Sequence, residues 1–169
     1  MGLKPSSQIF TIGAKVTESA PNAYTQQTID LQLNPLDNEV LAIYAIDIQV
    51  GRPEFIDGVN TAVSASLSRN SRTSLAQLDE FDCLAITDMS IGTVAGVGGV
   101  ISESKSMADT PASSAIDYIG LVATSDMFFA IDGANNLNAK SARVKVWARR
   151  MVADSATYAA LVASELRSN

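Results

Sequence analysis

The sequence predicts an all-β fold: an antiparallel β-sandwich closed by one C-terminal helix. Three observations carry this. Apolar residues recur with period two over most of the chain, as in strands with one face buried. Turn residues break these runs at intervals of about 8–20 residues, which gives eight or nine strands in a sandwich or barrel. Only the stretch after Asp154 changes to helical spacing. With 169 residues, 47% of them hydrophobic, the chain suits one domain, 1–169, whose core needs no disulfide or metal to hold it.

The elements follow in order. QIFTIGAKV, residues 8–16, alternates as a strand, and Pro21-Asn22 closes its loop. TIDLQL places Ile29, Leu31 and Leu33 inward and Thr28, Asp30 and Gln32 outward, before a turn at Asn34-Pro35 and Asp37-Asn38. In NEVLAIYAIDIQV, Val40, Ala42, Tyr44, Ile46, Ile48 and Val50 share one face. Leu41, Ile43 and Ala45 take the other, which turns polar at Asp47 and Gln49. That pattern describes a long strand covered on both sides at its start and on one side at its end. After the loop GRPEFIDGVN, the run NTAVSASLS points Thr61, Val63, Ala65 and Leu67 inward.

SRNSRTSLAQLDEFD is polar and irregular, with Leu75, Leu78 and Phe81 available to form a helical turn or pin a long connection. CLAITDMSI is a strand, IGTVAGVGGVISESKS continues in extended form, and SMADTPASSA has the composition of a loop. IDYIGLVA, DMFFAIDG and SARVKVWARRMV are the remaining strands. The helix covers about 154–167, with Asp154 as N-cap and an apolar stripe of Tyr158, Ala159, Leu161, Val162 and Leu166. Its expected place is against the end or edge of the sheet. Ile56-Asp57-Gly58 and Ile131-Asp132-Gly133 repeat an Asp-Gly pair that suits positive φ.

Composition argues against most catalytic chemistry. The net charge is −6 and histidine is absent, which removes the commonest general base and transition-metal ligand. Cys83 is the single cysteine and sits among apolar neighbours, where it behaves as a small hydrophobe. AGVGGVI has the wrong glycine spacing for a dinucleotide fingerprint or a P-loop, and it suits a glycine-rich loop or close backbone packing. Asp79, Glu80 and Asp82, with Asp88 nearby, form an acidic cluster. A solvated loop is favoured there over a cation site. No G-x-S-x-G elbow occurs. No catalytic residue, cofactor or metal is assigned, and the chain is expected not to be an enzyme. No apolar run of about 18 uncharged residues occurs, so a membrane span is not expected, and the opening residues lack the apolar run of a signal peptide.

Charge is unevenly placed. Five of the twelve basic residues lie between Lys140 and Arg150. Alternation puts Val144, Val146 and Ala148 on one face of that strand and Arg143, Lys145, Trp147 and Arg149 on the other. Arg150, next to Arg149, breaks the pattern at a bulge or the strand end. Arg beside Trp is common at interfaces. Arg143, Lys145, Trp147, Arg149 and Arg150 are therefore candidates for a contact, either within the chain or between copies of it. Nucleic acid is the weakest reading of this strand, because the acidic remainder repels it and no basic arm is present.

An acidic chain of this size with eight antiparallel strands, no catalytic residues and a closing strand and helix resembles the single jelly-roll capsid proteins of icosahedral viruses. NEVLAIYAIDIQV, the pair IDYIGLVATSDMFFAIDG and SARVKVWARRMV carry the resemblance. It implies an eight-stranded jelly roll, although the alternation alone is equally compatible with another Greek-key order. It also implies assembly with copies of itself and with other capsid proteins, and a place in the virion. The chain lacks the basic N-terminal arm of many nucleic-acid-packaging capsids, which puts direct genome binding by this subunit in doubt. The alternative is a non-catalytic sandwich that recognises carbohydrate or protein through its loops. Such a binder would be monomeric and stabilised by its ligand.

Overall fold

The computed structural model describes residues 2–106 and 118–167. Beyond Ser106, the loop expected over SMADTPASSA lies outside the described residues, as do Ile116 and Asp117 at the start of IDYIGLVA. The elements are β1 (Lys4–Pro5), β2 (Phe10–Thr17), β3 (Thr25–Asp30), β4 (Glu39–Val50), β5 (Thr61–Ser68), β6 (Cys83–Val94), β7 (Gly98–Ser106), β8 (Gly120–Val122), β9 (Asp126–Ala134), β10 (Ser141–Val152) and α1 (Ser155–Leu166).

Pairing is antiparallel throughout. The early strands β2, β3, β4 and β5 pair with the later strands β10, β9, β8 and β6 respectively. The chain is thus one long hairpin wrapped on itself. It makes a sheet β2-β10-β4-β8, with β1 prolonging the β2 edge, and a second sheet β3-β9-β5-β6-β7. This is the jelly-roll order, and β7 is an added edge strand. It settles the Greek-key order that alternation left open.

The two inner faces make one core. Phe129, Met127 and Ile131 of β9 and Val63 and Leu67 of β5 meet Leu41, Ile43, Ile46 and Ile48 of β4, with Val144 and Val146 of β10. Each large side chain fully buried there stabilises the fold by roughly 1.5–3 kcal/mol. Ile29, Leu31 and Leu33 are buried as their alternation predicts, although pairing stops at Asp30. Gln32 then takes φ +51°, and its N–H donates to Asp30 Oδ1 at 2.9 Å.

The face assignment of β4 requires correction. Trp147 pairs with Ala45 and Ala148 with Ile43, so Tyr44 is an extra residue in a bulge. The bulge reverses the alternation. Leu41 and Ile43 share the inner core with Ile46, Ile48 and Val50, while Val40 and Ala42 point to the outer side. The break expected at Arg149-Arg150 in fact lies between Trp147 and Ala148, and the extra residue belongs to the partner strand.

That outer side explains α1. The helix lies on the outer face of the first sheet at its end, beside the β8 edge, with Tyr158, Leu161 and Val162 against Val40, Ala42, Met151 and Ala153. Asp154 caps it by accepting from Thr157 N–H at 2.7 Å. Two members of the expected stripe, Ala159 and Leu166, face solvent. Glu165 occupies the buried position instead, because its carboxylate accepts from the backbone N–H of Ala123 at 2.7 Å and of Thr124 at 2.9 Å.

The connection 69–82 folds over the outer face of the second sheet. Leu78 and Phe81 are exposed and do not pin it. Ala76 does so: it is fully buried, and its N–H donates to Ser66 Oγ at 3.1 Å. The acidic cluster is solvated only in part: Asp79 and Asp88 are exposed, as expected, but Asp82 and Glu80 are tied into the loop. Asp82 is buried and receives both bonds of Arg72 Nη1, at 2.9 and 3.0 Å, while Arg72 Nη2 donates to Glu80 at 2.7 Å.

The two Asp-Gly pairs diverge. Gly58 has φ +73° in a turn, whereas Gly133 sits within β9. A Cβ on Gly133 would lie 2.6 Å from Glu18 Oε1 and 3.1 Å from Asn136 Nδ2, so a close approach of side chains, not a turn, favours glycine there.

Candidate functional site

Four surface features stand out among the described residues, and all the candidate residues but Arg150 fall on two of them. Along β10 the alternation is uninterrupted, so Arg143 and Lys145 project, exposed, from the open face of the first sheet with Trp147 half-buried beside them. Lys145 Nζ stands 5.3 Å from the Trp147 ring centroid, a cation–π contact. Cross-strand pairing sets Lys15 opposite Arg143 and Asp47 opposite Lys145. The result is a basic-aromatic patch with one carboxylate in it.

Arg149 and Arg150 do different work. Arg149 Nε donates to the Ser7 carbonyl at 2.7 Å, and Arg150 N–H donates to Ser7 Oγ at 3.0 Å. The Arg150 guanidinium turns inward over Phe10, 5.8 Å from its centroid, and donates to the Leu31 carbonyl at 3.3 Å. These bonds hold residues 6–9, where the edge leaves the ladder between β1 and β2. The structure therefore groups Arg143, Lys145 and Trp147 and separates them from the other two.

The second feature is an open cavity of about 690 Å³ at the α1 end of the first sheet. Leu3, Pro5, Ile9, Tyr44, Tyr118 and Arg149 line it. No sequence pattern indicated it, because its walls come from five separate stretches of the chain. The Tyr44 bulge helps shape it.

The third is the β6–β7 hairpin. Its turn needs glycine twice, at Gly96 with φ +72° and Gly98 with φ +108°. Val97 at the tip is 81% exposed, and Val94, Val100, Ile101 and the adjacent Phe55 are each more than half exposed. The hairpin is apolar on both faces, unlike a sheet with one solvated side. Asp57 braces the tip by accepting from Gly96 N–H at 3.1 Å. The run VAGVGGVI was visible in the sequence, but its exposure was not.

The fourth is a polar clamp at the hairpin's end of the sandwich. Glu54 accepts from Asn138 Nδ2 at 2.6 Å and from Leu137 N–H, and it pairs with Lys140 at 3.1 Å. The Asn138 bond, then the Leu137 bond and Lys140, bring its carboxyl from 4.5 down to about 2. A depressed carboxylate contributes stability above its unfolded pKa and loses it as pH falls through the folded one. Acid unfolding of the wild type should therefore include a component between pH about 4.5 and 2 that Glu54→Gln lacks. Equal pH profiles for the two proteins would contradict this.

Burial and the neighbouring Asp82 and Glu80 push the Cys83 thiol up to about 11, so it stays protonated and inert near neutral pH. Among the described residues no group of three or more His, Cys, Asp or Glu side chains is placed to hold a metal. No helix among them is long and apolar enough to cross a membrane.

No family model and no curated protein sequence matches the chain. Among solved structures it is similar to apo chimpanzee polyomavirus VP1, at 10% identity and TM-score 0.40, covering 92% of this chain and 100% of that one. The Merkel cell polyomavirus VP1 unassembled pentamer is similar at 9% and 0.41, covering 89% and 98%. A Desmodium yellow mottle tymovirus structure is similar at 12% and 0.30, covering 88% and 91%. The strand order read from the chain's own pairing is that of a jelly roll.

Proposed function

We propose that this chain is a non-enzymatic structural subunit that associates with copies of itself, and with other capsid proteins, to build an icosahedral virion shell. The observation that carries the reading is the apolar β6–β7 hairpin, which projects from an edge of the second sheet with Val94, Val97 and Val100 in solvent. A contiguous apolar patch at a sheet edge favours association, because water is released from both partners when it is covered. The jelly-roll body supports the reading as a rigid two-layered block that can tile. The open patch of Arg143, Lys145 and Trp147 is a second proposed contact, where a neighbour's acidic surface would fit an overall charge of −6. Arg149 and Arg150 act near such contacts by fixing the N-terminal edge.

The test is light scattering with electron microscopy over a range of concentration and salt. Oligomers or particles are expected, and a strict monomer at high concentration sinks the proposal. Arg143→Glu with Lys145→Glu should raise the concentration needed for assembly without lowering the melting temperature. Unchanged assembly would remove that patch from the contact.

A further inference from the structure

We propose that the β6–β7 tip of one copy inserts into the cavity beside α1 of the next, making a head-to-tail contact. The inference rests on the reading of the chain as a self-associating subunit and specifies which two surfaces meet.

The two surfaces cannot meet within one molecule. β6 runs from Cys83, beside the loop 69–82, to Val94 at the hairpin tip. β10 runs from Ser141 at the tip's end of the sandwich to Val152 beside the cavity. Strands of 12 residues span about 40 Å. The tip and the cavity therefore lie at opposite ends, and they belong to opposite sheets.

They are complementary in kind. The tip is a small convex knob of valines. The cavity is concave, with Leu3, Pro5, Ile9, Tyr44 and Tyr118 as its apolar lining. Charge agrees as well. The knob carries the exposed carboxylate of Asp57, held against Gly96. The cavity presents Arg149, whose Nε is bonded to the Ser7 carbonyl while no bond of its two terminal nitrogens is seen among the described residues. A carboxylate arriving with the knob would give that guanidinium an acceptor. Because knob and cavity are different patches, the contact is heterologous. Repeated by rotation it closes a ring, and otherwise it propagates.

The experiment uses the full chain with Cys83→Ala, which removes the native thiol. Val97→Cys and Ile9→Cys are prepared separately, mixed in equal amounts and oxidised, and the products are mapped by mass spectrometry. Both positions are exposed, so folding is checked simply by melting temperature. A disulfide between the two variants, with little in either variant alone, is the expected result. A dominant Val97–Val97 product would overturn the proposal in favour of a two-fold pairing of hairpins.

In parallel, Val97→Asp should raise the concentration for assembly by at least about tenfold, because a charge would enter an apolar pocket. If the wild type assembles and Val97→Asp assembles equally, or the mixed pair fails to cross-link, this contact is wrong while the subunit reading stands. If the wild type never assembles, both fall.

Discussion

Replacing Glu165 by alanine is expected to lower the free energy of unfolding by about 2 to 5 kcal/mol, a large share of a typical domain's stability. The residue is only 2% exposed, yet it carries a charge on a helix face that should be apolar. Its two oxygens close the N–H groups of Ala123 and Thr124 just after β8, where the chain turns toward β9 and no ladder partner reaches those donors. Alanine would leave the buried Ala123 donor and the half-buried Thr124 donor without this acceptor and open a gap under α1. Glu165→Gln keeps one acceptor oxygen and should lose about half as much. Urea denaturation of the three proteins decides the matter, and a change under about 0.5 kcal/mol in the alanine variant would refute it. Hydrogen exchange should show α1 opening before the sheets. Because α1 borders the cavity, the same variant should also weaken the head-to-tail contact.

The second large effect is expected at Arg72. Removing one partner of a buried ion pair leaves the other charge desolvated, at a cost of about 3–5 kcal/mol. Arg72→Ala does this to Asp82, which is 3% exposed and held from both oxygens. It also frees Glu80, whose carboxylate caps Gln77 N–H within the same loop. The loop 69–82 should then detach from the second sheet and become the first site of proteolysis. The double variant Arg72→Met, Asp82→Asn carries no buried charge and should recover most of the loss. Equal stability of Arg72→Ala and the wild type would show that the pair is not a determinant.

Both residues mark the limit of what the linear pattern reveals. Alternation placed Thr61, Val63, Ala65 and Leu67 correctly, because β5 has one buried face along its whole length and period two is all that such a strand requires. It placed Val144, Val146 and Ala148 correctly for the same reason. It failed at β4, where Tyr44 adds one residue and every side chain before it changes face. Nothing local distinguishes a bulge from a regular strand in an apolar run that is covered on both sides. It failed again at α1, where hydrophobicity nominated Leu166 and the buried residue is its charged neighbour. Burying Glu165 is favourable because backbone donors 41 and 42 residues away converge on it.

The candidate contact residues divide along the same line. Arg143, Lys145 and Trp147 share an exposed face because strand geometry alone sends them there. Arg149 and Arg150 looked equivalent in sequence. They were assigned to intrachain bonds by the Ser7 and Leu31 carbonyls, which no spacing rule connects to them.

By itself, the order of residues determined that this protein is a β-sandwich with a terminal helix and where its longest strands, β4, β6 and β10, begin, in a chain with no histidine and one cysteine. Those properties depend on period, turn residues and composition, which act over a few residues. Tertiary structure decided the jelly-roll order, the reversal of β4, the burial of Glu165 and Asp82, and the placing of an apolar knob and an apolar cavity at opposite ends. Those depend on which distant segments meet, because hydrogen-bond satisfaction and burial are properties of the assembled neighbourhood.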